Sequence, residues 1–518
     1  MRGILASSIG VTCAAALALP LAPPAVASAE RPAPTADAAT RAAVNSSTPH
    51  VPEAPGSTQS LPLGPLTHDR ASGAVLGLAP RAVRNFSLLG VVWDDPSAAL
   101  HGRVQVRTRA ASTGEWSDWQ DVETHYTEHG ADPDSAEAAS GRVRGATAPL
   151  WVGESNGVEV RVRPEAGGAE AGGAEAGDPV GGAPEPDAEA GDVDPVDVGS
   201  GDAGSGAVGA GDTGAGEAGA GEAGAGGGDA PALPAGMRLD LVDPGEAEPD
   251  EAAPSGSGAE APRTDVMTAA AKAASAANSD IVPLGATEIP MLTAEETRRE
   301  LVTLRGSELT EQQQADAHIG PRPSIVTRRG WGADESLREK NFSYTSKVKA
   351  AFVHHTASGN GYSCSQAPSL IRGFYRYHTK SLGWRDIGYN FLVDKCGRIY
   401  EGRAGGVAKA VKGAHTLGFN SKTTGIAVIG SYGSKKPSSK AVKAVARLAA
   451  WKLGLYGMNP KAKTTLTSGG GNLYAKGKKV KMKVISGHRD GFNTSCPGGK
   501  LYKKLSSVRS KAAGYQGR

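Results

Sequence analysis

The sequence predicts an α/β module with a mixed central sheet flanked by helices, preceded by a small all-β domain and disordered linkers. Three observations predict it. Short apolar runs alternate imperfectly with helically spaced ones over 321–512. Three stretches between 84 and 163 alternate apolar and polar with period two. Residues 164–230 carry 15 Asp and Glu but no Lys, Arg or aromatic residue, and cannot offset the entropy of ordering. Charge divides the chain the same way. The 518 residues sum to +2, yet 321–518 holds 37 Lys and Arg against 7 Asp and Glu, a net of +30. The remainder holds 19 against 47, a net of −28. A basic module behind an acidic half calls for an anionic partner.

The N-terminus narrows that partner. Arg2, the apolar run Ile4 to Ala22 and the small-x-small site Ala27-Ser28-Ala29 read as a signal peptide over 1–29. Prolines 20, 23 and 24 interrupt the run, and no other stretch reaches the roughly 18 apolar residues a span requires. A secreted, cell-wall associated protein with no membrane span is expected, so nucleic acid is not the expected partner. Residues 30–83 read as a flexible leader. The β domain covers 84–163, with Phe86 to Trp93, Gly102 to Arg109 and Val158 to Arg163 as strands and Trp116, Trp119 and Trp151 as core. The Gly/Ala segment 164–235 is expected to be a disordered insertion, because Met237 to Asp243 alternates again and would complete the sheet as part of 236–245. We expect the insertion to contact the basic module. Residues 246–320 read as a linker with one short helix, capped by Thr293 with Glu296 three residues on.

In the α/β module, Ala350 to His354 reads as a buried strand ending in a histidine, and Val484 to His488 as another. Gly388 to Val393, Arg398 to Tyr400 and Thr424 to Gly430 are further strands; Ala367 to Thr379 and Ala441 to Tyr456 are helices. Cys496 follows His488 by eight residues. Two histidines and a cysteine are good zinc ligands, and three protein ligands leave one position free, as catalytic sites require. Core histidines and a free thiol fit the same spacing. In a secreted chain Cys364 and Cys396 can then pair, which removes the odd cysteine left after Cys13 is cleaved away.

Five motifs in order carry a family resemblance: Phe352-Val-His-His-Thr-Ala357, Gly383-Trp-Arg-Asp-Ile-Gly-Tyr-Asn-Phe-Leu392, Tyr400-Glu-Gly-Arg403, Gly413-Ala-His-Thr416, and Gly487-His-Arg-Asp490 through Cys496-Pro-Gly498. Over about 320–505 the chain resembles the peptidoglycan recognition proteins and the type 2 zinc N-acetylmuramoyl-L-alanine amidases. The resemblance implies zinc held by His354, His488 and Cys496. Non-catalytic members typically lose the cysteine, so its retention implies a hydrolase that cleaves the amide between muramic acid and L-alanine. Tyr389 falls on the catalytic tyrosine and Thr494 on a catalytic Thr or Lys position near the metal. Trp384, Arg403, His415 and Asn420 are the implied substrate-binding residues, with Arg403 facing a diaminopimelate carboxylate. Strand alternation turns His355 away from His354 as a groove candidate, and core or loop-structural roles fit His415 and Asn420 equally. Cys364 and Cys396 do not reproduce the close-spaced disulfide of animal members. Peptidoglycan and anionic wall polymers are the implied partners; the oligomeric state is not legible.

Two other readings compete. A wall receptor would bind without cutting. A cysteine peptidase would use Cys496 as nucleophile and His488 as base, but its Cys-Pro-Gly context and the distant His354 argue against it.

Overall fold

A computed structural model describes residues 56–69, 73–124, 126, 128–165, 232–246 and 267–518. The expected signal peptide and nearly all of the acidic insertion lie outside the described residues. Within the compact unit Glu53–Arg518, the first sheet contains β1 (Ser57–Pro62), β2 (Gly64–Asp69), β3 (Gly73–Trp93), β4 (Gly102–Ala110), β5 (Gln120–Val122), β6 (Gly145–Ala146), β7 (Leu150–Pro164) and β8 (Arg238–Asp243). The strand order is β1-β8-β3-β7-β4-β5, with β2 and β6 also paired to β3. Expected leader residues 57–62, 64–69 and 73–83 are therefore in strands. Pairing with β8 and β7 satisfies their backbone, which their Pro- and Gly-containing composition did not announce.

Strand patterning explains the layers. In β4 and β7, Val104, Val106, Val158, Val160 and Val162 face the domain core while arginines alternate outward. The end of β3 is apolar without alternation because both faces are buried. Leu89, Val91 and Trp93 join the β-domain core; Leu88 and Val92 pack in the cluster that contains Leu370 and Phe374 of the α/β module. None of the three tryptophans expected in the β-domain core is there. Trp116 is 37% exposed, and Arg161 stacks over Trp119 with Cζ 3.9 Å from the ring centroid. Cation–π pairing lets these rings sit at the surface. Trp151 is partly buried against the α/β module.

From residue 267 on, the supposed linker is structured. It contains α1 (Ala269–Ala276), β9 (Glu288–Ile289), α2 (Ala294–Arg305) and α3 (Glu311–Ala315). Thr268, Thr293 and Thr310 cap the three helices, and Ile289, Leu301 and Ile319 enter the α/β core. Local caps were visible in the sequence; the packing partner was not. The second sheet has order β17-β11-β14-β12-β13-β10-β9. It adds β10 (Ile325–Val326), β11 (Ala350–His355), β12 (Phe391–Val393), β13 (Ile399–Glu401), β14 (Thr423–Val428) and β17 (Ile485–Gly487). β15 (Lys463–Thr467) and β16 (Lys479–Lys483) form a separate hairpin. β11 runs parallel to β14 and β17, β12 antiparallel to β13, so the sheet is mixed. Helices α4 (Ala367–Arg376), α5 (Ser439–Gly454), α6 (Gly499–Tyr502) and α7 (Leu505–Tyr515) complete the module. The Cys364–Cys396 disulfide ties the turn before α4 to the β12–β13 turn.

Glu401 is buried on β13, accepting from Asn278 Nδ2 (2.9 and 3.1 Å) and the Arg328 backbone N–H. Burial pushes its carboxyl up to about 7. The folded state therefore holds a proton that the unfolded chain releases from about 4.5 upward. Stability from this group is lost as pH rises between those values. We expect wild type minus Glu401→Gln stability to fall by about 3 kcal/mol from pH 4 to pH 8. Urea midpoints at both pH values check this; a pH-independent difference would contradict it.

Candidate metal centre

The centre lies at the carboxyl ends of adjacent parallel strands, where crevices open in α/β sheets. β11 ends with His354 and His355, and His488 follows β17 directly. The loop to Cys496 is fixed locally: the Gly487 N–H donates to Asp490 Oδ2 (2.9 Å), and the Arg489 N–H to the Cys496 carbonyl (3.0 Å). His354 Nδ1 is 3.8 Å from Cys496 Sγ. Its Nε2 is 3.2 Å from His415 Nδ1, which holds the ring in orientation. Gly425 makes room for this, since an added Cβ would lie 2.6 Å from His415 Cδ2.

One ligand atom each from His354, His488, Cys496 and His129 lies within 4.8 Å of the others, and all four residues are buried. Among the described residues, no hydrogen-bond partner lies within bonding geometry of the ring nitrogens of His129 or His488. Burial, then mutual repulsion among the rings, holds the three imidazoles well below their ordinary range, hence neutral. Burial pushes the Cys496 thiol up; a divalent cation reverses that logic and binds the thiolate. Orphaned imidazoles beside a buried thiol fit zinc as a donor set.

The other expected site residues surround this cluster. Tyr389 stacks near His354 (5.5 Å between ring centroids), and burial raises its hydroxyl well above the ordinary range. The Thr494 hydroxyl donates to Glu128 Oε1 (2.7 Å) and accepts from the Cys496 N–H (3.1 Å). Trp384 stacks on His378, on the π-turn after α4. Arg403 donates through both terminal nitrogens to Glu137 (2.9 Å each). His355, expected in the groove, is instead buried with Nδ1 accepting from the Tyr432 N–H (3.2 Å). His415 is a support for His354, also buried. Asn420 accepts from the His415 and Thr416 N–H groups and donates to Gly130 O and Asp132 Oδ1.

The residues missed by the sequence reading come from the segment between β5 and β6 of the β domain. Tyr126 places its hydroxyl 2.8 Å from His378 Nε2 and 3.3 Å from the Tyr389 hydroxyl. The His129 ring lies 4.6 Å from that of His488. Asp132 pairs with Lys412 (3.1 Å), and Glu137 occupies Arg403. A signal was present. Glu123, His125, Glu128 and His129 concentrate ligand-type side chains where strand alternation lapses. Their target 225 or more residues away was not legible: the nearest partner, His354, follows His129 by that distance.

Residues 344–499 match the N-acetylmuramoyl-L-alanine amidase family, and residues 40–189 match the family described as Rv3811 N-terminal galactose-binding domain-like. The chain is 30% identical over 182 residues to peptidoglycan-recognition protein SC2 of Drosophila simulans, covering 35% of this chain and 84% of that protein. It is 31% identical over 184 residues to peptidoglycan-recognition protein 1 of Holotrichia diomphalia, covering 35% and 79%. The human N-acetylmuramoyl-L-alanine amidase is 30% identical over 185 residues, covering 35% of this chain and 28% of the human protein. With His354 of the first motif and His488 and Cys496 of the last in one buried cluster, the chain belongs to the family of peptidoglycan recognition proteins and type 2 amidases.

Proposed function

We propose that this protein is a secreted, zinc-dependent amidase that cleaves the bond between N-acetylmuramic acid and the L-alanine of the stem peptide. The convergence of His354, His488 and Cys496 carries the reading, because wall receptors of this family that do not cut typically lack the cysteine. Zinc supplies Lewis acidity and lowers the pKa of water when bound. The chain's own groups do the rest. Tyr389, kept protonated by burial, donates to the oxyanion developing on the amide carbonyl. Thr494 offers a second hydroxyl beside Cys496. His415 fixes the His354 ring. Arg403 offers a bidentate site for a carboxylate, which suits diaminopimelate stem peptides. The N-terminal apolar segment and the +30 charge of 321–518 fit work outside the cell on peptidoglycan and anionic wall polymers.

Digestion of diaminopimelate-type sacculi tests this. We expect peptides with new L-alanine amino termini, uncut glycan strands, loss of cleavage on chelation and its return with zinc. Absence of new amino termini, from the wild-type chain and from variants that uncover the groove, would leave a receptor and overturn the amidase reading.

A further inference from the structure

A groove that takes a wall polymer must be open, yet this one is closed by the chain itself. Trp384, Tyr389, Arg403, Asn420, His488 and Cys496 are all buried. What covers them is the segment from Tyr126 to Arg142 of the β domain. Its contacts fall on the groups that the amidase reading needs free. Glu137 is buried and delivers its carboxylate to Arg403 in a two-pronged ion pair, while its Oε1 also accepts from the Arg385 N–H (3.0 Å). Glu128 takes the Thr494 hydroxyl, and Tyr126 reaches the Tyr389 hydroxyl. Asp132 Oδ1 accepts from the Gly418 N–H (3.1 Å) and from Asn420 Nδ2 (2.9 Å). His129 brings a fourth ligand atom into the cluster. A catalytic zinc site keeps one position open, whereas four protein ligands close it.

Resting on the amidase reading, we propose that Tyr126 and residues 128–142 form an intramolecular plug that keeps the enzyme latent. His129 closes the metal position and Glu137 holds the carboxylate site. Hydrolysis requires the segment to withdraw. The match is electrostatic as well as steric, since an acidic segment sits on basic partners: Asp132 on Lys412, Asp134 on Lys476 and Glu137 on Arg403. An anionic stem peptide competes for the same cations. The observed acidic contacts thus come from this loop, whereas the expected contact of the acidic insertion concerns residues outside those described.

The plug can be locked reversibly. A Cβ added at Gly469 would lie 3.5 Å from the Asp132 Cβ, within the span of about 3.5–4.5 Å that a disulfide bridges. The test uses full-length Asp132→Cys/Gly469→Cys, oxidised and then mildly reduced, with wild type carried through the same treatment. Calorimetry on chelated protein measures binding of muramyl tripeptide ending in diaminopimelate, a readout independent of turnover. We expect the reduced form to bind at least tenfold tighter than the oxidised form, and amide cleavage after zinc addition to rise in parallel. Glu137→Gln, a near-isosteric change that weakens one plug contact, is expected to bind the same probe tighter than wild type. Equal binding by oxidised and reduced forms, with sacculi still cleaved, would overturn the plug alone. No binding and no cleavage by either form would overturn the amidase reading and the plug with it.

Discussion

Replacing Cys496 by alanine is expected to lower hydrolysis of sacculi at least ~1,000-fold, about 4 kcal/mol of transition-state stabilisation. The thiolate is the anionic donor of the cluster; the other three ligand atoms belong to neutral imidazoles. Without it, His354, His488 and His129 can still hold zinc weakly, with the dication uncompensated in a buried site. Zinc content after dialysis is therefore expected to drop from one per chain to a small fraction, with binding weakened more than the ~10–100-fold typical of a supporting residue. The fold is expected to persist, because Cys496 sits in a loop after β17 and leaves the sheet intact. Circular dichroism and zinc analysis, read beside mass analysis of the products, check this. Unchanged cleavage with zinc lost would sink the metal mechanism. A cysteine nucleophile predicts the opposite pattern, inactivation by alanine with zinc content and chelator response unaffected.

Serine at both Cys364 and Cys396 is expected to destabilise the α/β module by about 4 kcal/mol. The bridge spans 32 residues, and closing a loop of that length removes roughly that much chain entropy from the unfolded state. The loop holds α4, the turn after it, Trp384, Tyr389 and β12, so these two site residues lie inside it. Equilibrium denaturation of wild type and double variant at saturating zinc measures the loss. A difference below about 1 kcal/mol would mean that α4 and its contacts already restrain the unfolded chain. Reductant is expected to reproduce the effect in wild type and to leave the double variant unmoved.

How much was legible follows from the range of each interaction. Period-two valines marked β4 and β7; the end of β3 was read as alternating in the same way, whereas it is apolar throughout because the α/β module covers its second face, a partner no local pattern names. Capping residues marked α2, but the same local code cannot say that Leu301 and Ile319 enter the α/β core, so 246–320 read as a linker. Residues 57–83 looked like a leader because their hydrogen-bond partners are supplied by β7 and β8, far along the chain.

The sequence by itself determined the family motifs, the candidate ligands His354, His488 and Cys496, and the opposition of an acidic half to a basic module. These are encoded in residue type and local spacing. Tertiary structure alone decided that the acidic half reaches into the basic module's site. The ligand-type residues around His129 were visible locally, but not their target, and Glu137 carried no local mark: folding brings His129 into the Cys496 cluster and Glu137 onto Arg403 across hundreds of residues. It likewise buried His355 against the Tyr432 N–H and set His415 against His354, contacts that local spacing does not encode.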